Sequence, residues 1–399
     1  MGKLKIDDVK LKAPGKQVEE MLIDRFGSIK SFAREIEMHP RTIRQYLKEK
    51  RVGSDGFRVK LTNIFDKGIS EIIVSEEEQL KEIVENIYDN IREYKDEEDM
   101  EVLKAVKKLC IENELNLQSL KMQRNIAMAY FYRNEADRGI GFMESTINRI
   151  NIREYLIKWK SELGLMYFYQ CKYKKSKELF DEVEELLTKV TKIDDRTLFL
   201  HYYRYGILKS NMGSHYSAQK LFEKSLDYAK TSVERGNAMM NMGLSFKSQK
   251  KYKKDIEYHN KALICFKNNL SKSSIILNNL ADTYNLLGEY DRALYYIKLA
   301  LNYVDEEDFE KFFVYYQTYA QILMCKGEFK EAIYKLLELI AKAQGEFVYR
   351  KFIIQGIDTI IECGKRSNDK DILKEIEEVI LKVIDKINED GIIQWPPRE

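Results

Sequence analysis

Apolar residues recur every three or four positions along almost the whole chain, which is the pattern of amphipathic helices. Near the N-terminus, Val18, Leu22 and Phe26 form such a stripe, and Gly27 follows as a helix stop. No proline lies between residues 41 and 395. This favours long helices, because an interior proline costs a helix about 3 kcal/mol. The pattern therefore predicts an all-α chain.

Four short helices are predicted between residues 16 and 67. Ser28 is a natural N-cap for the second helix, in "SIKSFAREIEM", and Ser54 is one for the fourth. Pro40 begins the third helix, in "HPRTIRQYLKEK", where its missing N–H is not needed. A turn of three to four residues between the second and third helices is the helix-turn-helix plan.

The apolar spacing of this helix pair resembles the phage-repressor-like (XRE) class of helix-turn-helix domain. The residues that carry the resemblance are Phe32, Ala33, Ile36, Met38, Ile43 and Leu47. Ala33 is predicted at the close crossing of the two helices, where only a small side chain fits. The turn position that such domains often give to glycine is Glu37, so we expect a strained or altered turn.

The resemblance implies that the N-terminal part of the third helix contacts base edges in the major groove of DNA. The residues predicted to face outward there are Pro40, Arg41, Arg44 and Gln45. Arginine can form two hydrogen bonds with guanine, and glutamine can form two with adenine. The residues predicted to contact phosphates are Lys30, Arg34, Lys48, Lys50 and Arg51. The alternative is a small helical domain whose exposed arginines serve only solubility.

Charge is distributed unevenly between this head and the rest of the chain. Residues 1–70 carry a net charge of +6 and the remainder carries −4, within a total of +2. A basic head on a slightly acidic body indicates a head that contacts phosphate groups. A chance fluctuation of surface lysines is the alternative.

An internal repeat runs through residues 101–369. The segments "IAMAY", "LGLMY", "YGILK", "MGLSF", "LADTY" and "YAQIL" begin at residues 126, 163, 205, 242, 280 and 319. Each has a small second residue, and most are followed by a second small residue and an aromatic, which is the tetratricopeptide pattern. The copies lie 37 to 42 residues apart, against the usual spacing of about 34. The closing proline is missing, and Asp255 occupies a normally small position. We expect an α-solenoid of five to eight repeats.

The small residues of each repeat are predicted to lie where its two helices touch. Those of the first helices are Gly164, Gly206, Gly243, Ala281 and Ala320, and those of the second helices are Ser176, Ala218, Ala293 and Ala332. The aromatic residues predicted to fill the gaps between neighbouring repeats are Tyr167, Phe246 and Tyr284.

The first helices of such repeats line an inner groove. Asparagine recurs at the inner positions although it forms helices poorly, and its amide offers the donor and the acceptor that match a peptide bond. The residues predicted to bind a peptide are Arg204, Asn237, Asn241, Asn278, Asn279, Asp282, Asn285, Gln317 and Gln321. Arg124, Lys158 and Arg204 are candidates to bind its carboxylate. The alternative is that asparagine is simply tolerated in a solvated groove.

The predicted organisation has four parts: a helix-turn-helix domain at 1–70, a connecting helix at 71–100, the array at 101–369 and a terminal segment at 370–399. Residues 370–391 carry a broad apolar stripe. We expect this segment to cap the array and to meet the same helix of a second chain. A cap without a dimer is the alternative.

Several classes of chemistry have no matching motif. The chain contains no Gly-rich phosphate loop, no GxSxG and no HExxH, and its cysteines lack metal-binding spacing. We therefore expect no enzyme activity, no cofactor and no metal. No apolar run approaches the roughly 18 residues of a membrane span, and the N-terminus does not read as a secretory signal. We expect a cytoplasmic protein with reduced thiols.

The combination of head and array resembles the RRNPP family of Gram-positive bacteria, the peptide-pheromone receptors Rap, Rgg, NprR, PlcR and PrgX; arbitrium receptors of phages are similar. The resemblance rests on residues 28–47 and on the repeats. It implies a cytoplasmic, dimeric, quorum-sensing transcription regulator whose binding to double-stranded DNA is switched by a short signalling peptide. The segment "SFAREIEMHPRTIRQYL" argues against the Rap branch, whose helical head lacks this DNA motif.

Two other functions stay open. One is a scaffold whose repeats bind a partner protein. The other is a regulator of the phosphatase type, which would contact a response regulator through the helices of residues 76–150.

Overall fold

The computed structural model of this chain is helical throughout its described part, which contains no strand. The described residues are 3–5, 11, 14–48, 52, 54–66, 74–304, 308–343, 350–367, 369–371, 373–374, 377 and 381. They form two compact units, Met1–Thr191 and Lys192–Glu399. Within the described residues, no helix is both long enough and apolar enough to cross a membrane.

The head consists of four short helices around a small apolar core. They are α1 (Pro14–Phe26), α2 (Ile29–Glu35), α3 (Pro40–Tyr46) and α4 (Asp55–Phe65). The Ser28 and Ser54 hydroxyls accept hydrogen bonds from backbone N–H groups at the starts of α2 and α4, as the sequence predicts. Phe32, Ile43 and Phe57 are almost fully buried between the helices.

The turn between α2 and α3 contains a strained residue, as the missing glycine predicts. Glu37 has a φ of 52°, in the left-handed region that costs a non-glycine residue roughly 1–3 kcal/mol. Two hydrogen bonds hold the turn: the Met38 N–H donates to the Ala33 carbonyl at 2.9 Å, and the Lys60 ammonium donates to the Ile36 carbonyl at 2.9 Å.

The first unit continues with helices joined by short turns. They are α5 (Glu76–Asp89), a 3-10 turn (Ile91–Glu93), α6 (Glu97–Glu112), α7 (Asn116–Tyr132), α8 (Ala136–Ile147), α9 (Arg153–Tyr169) and α10 (Tyr173–Leu187). Capping boxes at Ser75 and Asp96 start α5 and α6. The connecting helix expected at 71–100 is therefore α5 alone, and a new helix starts before residue 100.

The second unit repeats the same helical hairpin. Its helices are α11 (Asp195–Asn211), α12 (His215–Tyr228), α13 (Ser232–Ser248), α14 (Tyr252–Cys265), α15 (Leu270–Leu286), α16 (Tyr290–Tyr303), α17 (Phe309–Lys326), α18 (Phe329–Ala343) and α19 (Arg350–Ser367). The segment proposed to cap and dimerise, residues 370–391, lies mostly outside the described residues, as do Lys50 and Arg51.

Small residues allow the two helices of a repeat to touch, which confirms the sequence prediction. A Cβ added to Gly206 would lie 2.6 Å from the Phe222 ring, and one added to Gly164 would lie 3.1 Å from the Phe180 ring. The Ser176 hydroxyl donates to the Gly164 carbonyl at 2.7 Å. Six helix pairs starting at α7, α9, α11, α13, α15 and α17 follow this plan within the described residues.

The repeat aromatics pack against the preceding pair, as the sequence predicts. Tyr167 donates a hydrogen bond to Glu144 of the preceding pair, and Phe246 shares a buried cluster with Phe222 of the preceding pair. Tyr284 shares a buried cluster with Phe266, which follows the preceding pair, and it also stacks on Tyr296 of its own pair, with ring centroids 5.2 Å apart.

Candidate functional site

The outer face of α3 carries the side chains predicted to contact DNA bases. Ile43 is fully buried, and the helical period therefore turns Arg41, Arg44 and Gln45 outward, where all three are exposed. Pro40 is half-buried at the helix start. The residues predicted to contact phosphates and described by the structure are also exposed: Lys30, Arg34 and Lys48.

The inner positions of the first unit are covered by α5, which sequence reasoning did not foresee. The Tyr88 ring of α5 lies 4.2 Å from the Arg124 guanidinium and 4.7 Å from the Lys158 ammonium. Trp159 donates to the Tyr88 hydroxyl at 3.4 Å. Leu80, Val84 and Ile87 of α5 are fully buried. Periodicity predicts this helix but carries no signal for where it docks.

Arg124 is engaged inside the protein and is not open to a peptide carboxylate, which corrects the sequence expectation. Its Nε donates to Glu162 at 2.7 Å, and one terminal nitrogen donates to the Asn125 side chain at 2.9 Å. Burial lowers the pKa of Arg124, but the Glu162 carboxylate more than offsets this and the pKa is raised overall. Asn125 is fully buried beside it. The Arg124–Glu162 ion pair joins α7 to α9.

The first helices of the second unit share one face, and side-chain bonds join them across it. Asn241 donates to the Tyr203 hydroxyl at 3.0 Å, which links α13 to α11. The Lys272 ammonium donates to the Asn237 amide oxygen at 3.0 Å, which links α15 to α13. The Lys247 ammonium lies 2.7 Å from the Asp282 carboxylate and forms a second link. Asn237, Asn241 and Asp282 thus each take part in a side-chain link between neighbouring first helices.

Two of the predicted amides on α15 have an unsatisfied oxygen. The side-chain oxygens of Asn278 and Asn285 are buried, and neither accepts a hydrogen bond from another described residue. Asn278, Asp282 and Asn285 are spaced i, i+4 and i+7, so they lie on one face of α15. Since an unpaired buried polar atom costs about 1–3 kcal/mol, rotation of these amides toward a donor would be favourable.

The remaining predicted residues lie on neighbouring helices. Arg204 on α11 and Gln317 on α17 are half-buried, and Gln321 is exposed. α17 is joined to α15 by a 3.0 Å contact between the hydroxyls of Tyr315 and Ser274. All of these residues belong to the second unit.

Asn279 is used inside a repeat interface. Its amide nitrogen lies 3.2 Å from Nε2 of His259, and Nδ1 of that fully buried histidine lies 2.6 Å from the Asp255 carboxylate. Thr283 donates to the same carboxylate. This buried polar network explains why an aspartate stands at a normally small position.

Among the described residues, no group of three or more His, Cys, Asp or Glu side chains could hold a metal ion.

Comparison with known proteins shows the fold. No protein-family model and no curated protein matches this chain. A signal transduction ATPase with numerous domains (STAND) from Pyrococcus horikoshii, with a tetratricopeptide repeat sensor, is similar at a TM-score of 0.60 and 16% identity; the match covers 94% of this chain and 54% of that one. The chain thus spans about half the length of that protein.

A Rap protein complexed with competence and sporulation factor is similar at a TM-score of 0.51 and 14% identity, with 78% of this chain and 93% of that chain covered. PilW, a type IV pilus biogenesis factor, has a TM-score of 0.46 and 16% identity, with 60% and 98% covered. At these identities the likeness concerns the fold alone. The chain is an all-α protein that matches tetratricopeptide-type α-solenoid proteins.

Proposed function

We propose that this chain is a transcription regulator that binds DNA through its head and is switched by a short signalling peptide bound on the second unit. One feature supports peptide binding most strongly: the two amide oxygens of Asn278 and Asn285 that lack a partner. They lie on a face formed by neighbouring first helices, and the backbone N–H groups of an extended peptide would supply the missing donors.

The exposed face of α3 supports the DNA-binding part of the proposal. A helix that presents Arg41, Arg44 and Gln45 on its exposed face has the side chains that discriminate bases in the major groove. Lys30 and Arg34 of α2 add charge that phosphates attract. Residues 1–70 also carry a net charge of +6 against −4 for the remainder, and a basic surface is what nucleic acid attracts.

The dimensions of the second unit suit a peptide of about six residues. Arg204 on α11 and Asp282 on α15 have α13 between them. Neighbouring packed helices are about 8–10 Å apart, so the two side chains lie roughly 20 Å from each other. An extended chain advances about 3.4 Å per residue. The Rap likeness agrees with this proposal, since that protein was solved in complex with competence and sporulation factor.

The proposal includes a cytoplasmic homodimer that acts by binding and not by catalysis. A single helix-turn-helix domain buries little surface on DNA, and such domains usually bind two half-sites as dimers. The apolar stripe of residues 370–391 is the proposed contact between the two copies.

Two selections on the full chain test the proposal. Random-sequence duplexes are selected for binding, and a random hexapeptide library is selected separately and read by mass spectrometry. We expect one enriched operator sequence and a family of enriched peptides. If peptides were enriched but no duplex was, the proposal that this chain is a transcription regulator would be wrong, and peptide binding would stand. Failure of both selections, with capture of a folded protein partner, would favour the scaffold that binds a protein such as a response regulator.

A further inference from the structure

One face of α15 carries three hydrogen-bond acceptors, the side chains of Asn278, Asp282 and Asn285. A cation of the chain itself, Lys247, donates to one of them, Asp282. Asp282 lies between Asn278 and Asn285, and Lys247 reaches its carboxylate from α13. The Asp282 and Lys247 side chains are 36% and 19% exposed, so the pair is at the surface and a competing cation can reach the carboxylate. An exposed ion pair of this kind is weak and exchanges readily.

The geometry matches a primary ammonium group. Such a group has three donors and no acceptor. The face offers the partly exposed Asp282 carboxylate, and rotation of Asn278 and Asn285 would turn their buried amide oxygens outward. The amide oxygens of Asn278 and Asn285 lack partners, and they would acquire donors from an ammonium or from the N–H groups next to it. A carboxylate or phosphate ligand would place like charge against Asp282.

We propose that Asp282 binds the N-terminal ammonium of the peptide in place of Lys247. This inference rests on the proposed function and sets the direction of the ligand. The peptide amine lies on α15, its backbone crosses α13, and its carboxylate points toward Arg204 on α11. A peptide with a blocked N-terminus is then a poor ligand, whatever its side chains.

Matched peptide libraries test this direction on the full chain. Both contain random hexapeptides without Lys, Arg or His, and one of them is N-acetylated. We expect the wild-type chain to retain the free-amine library at least about tenfold better than the acetylated one, since acetylation removes the charge-assisted hydrogen bond between the peptide amine and Asp282. Asp282→Asn, which preserves shape, should reduce this preference to near one.

Two further variants distinguish loss of the contact between Asp282 and the peptide ammonium from a general loss of peptide binding. Lys247→Met removes the internal competitor and should raise retention of free-amine peptides by a few fold. Asp291→Asn is the matched control, because Asp291 is 91% exposed and pairs with Lys326 away from this face. It should keep the wild-type preference. If Asp282→Asn fails to fold, the comparison of libraries on the wild type and on Lys247→Met still decides the matter.

The retention of the libraries distinguishes failure of the ammonium contact from failure of peptide binding. Equal retention of both libraries by the wild type overturns the ammonium anchor but leaves peptide binding intact. Retention of neither library overturns the peptide-binding part of the proposed function together with this inference. A third library, acetylated and carrying one lysine, should be rejected, and its retention would assign the site to a basic side chain and not to the terminus.

Discussion

At the residue scale, single glycines decide whether two helices can touch. Gly206 lies inside α11, and a methyl group there would meet the fully buried Phe222 ring at 2.6 Å. We expect Gly206→Ala to lower the free energy of unfolding by about 1–3 kcal/mol, since extra atoms in a packed interface force side chains from their rotamers. Urea denaturation followed by circular dichroism measures the change.

Gly141 provides a matched control for that substitution. It lies within α8, where an added Cβ would have no neighbour within 4 Å. Gly141→Ala should therefore stabilise the chain by about 0.5–1 kcal/mol, the usual gain from alanine in a helix. If both substitutions shift stability in the same direction, helix propensity and not contact at Gly206 controls the outcome.

A second regularity at the residue scale links each repeat aromatic to a cation in the sequence. In four repeats a cation lies over the repeat aromatic, eight residues after it. The pairs are Arg138 over Tyr130, Lys175 over Tyr167, Lys254 over Phe246 and Arg292 over Tyr284. In the other two repeats Lys209 and Leu323 stand in place of the aromatic. The residues eight positions later are then Ser217 and Glu331, neither of which is a cation. This spacing could have aligned the repeats more firmly.

At the element scale, the helices themselves could be predicted well because their apolar period is strong. The paired small residues also placed the first helices correctly. The docking of α5 could not be predicted, since it depends on Tyr88 meeting Arg124 and Lys158 from another part of the chain. The same limit applies to Asn279, whose partner His259 lies on the preceding helix.

The link between α7 and α9 allows a test of the buried ion pair. Arg124 and Glu162 side chains are 6% and 4% exposed. Arg124→Leu removes the guanidinium that neutralises the buried Glu162 carboxylate and should cost about 3–5 kcal/mol. Adding Glu162→Leu should restore most of that loss. Denaturant unfolding of the single and double variants gives both values.

An exposed arginine controls for the loss of positive charge. Arg292 pairs with Glu289, and the two side chains are 65% and 43% exposed. Arg292→Leu should change stability by less than about 1 kcal/mol. A double variant of the buried pair that is no more stable than Arg124→Leu alone would contradict the assigned cause.

The outer face of α3 carries the element-scale prediction for DNA. Arg41→Ala and Arg44→Ala should each cost about 1–3 kcal/mol of operator binding and relax the base preference, because both side chains point away from the core. Lys30→Ala should weaken all duplexes alike. Mobility-shift titrations against the selected operator and a scrambled duplex distinguish the two effects. If the double arginine variant kept the base preference of the wild type, α3 would not be the helix that contacts the bases.

At the scale of the whole molecule, the fold class followed from the sequence, whereas the division into two units did not. The repeat pattern is continuous in the sequence from α7 to α18, yet the chain forms two compact units that divide after Thr191. The proposed peptide residues all fall in the second unit, and the proposed DNA residues all fall in the first. A switch in this protein must therefore act between the two.

Such a switch has a strict thermodynamic signature. If the bound peptide changes operator affinity by some factor, the bound operator must change peptide affinity by the same factor. We expect a factor of about 5–150, which corresponds to a coupling free energy of about 1–3 kcal/mol. Fluorescence anisotropy with labelled operator, at zero and saturating peptide, gives one ratio, and the reverse titration gives the other. Both ratios equal to one would mean that the head and the peptide site are independent, and the switching hypothesis would fail even with both ligands bound. Unequal ratios would require a third equilibrium, such as dimer formation, and their dependence on protein concentration would identify it.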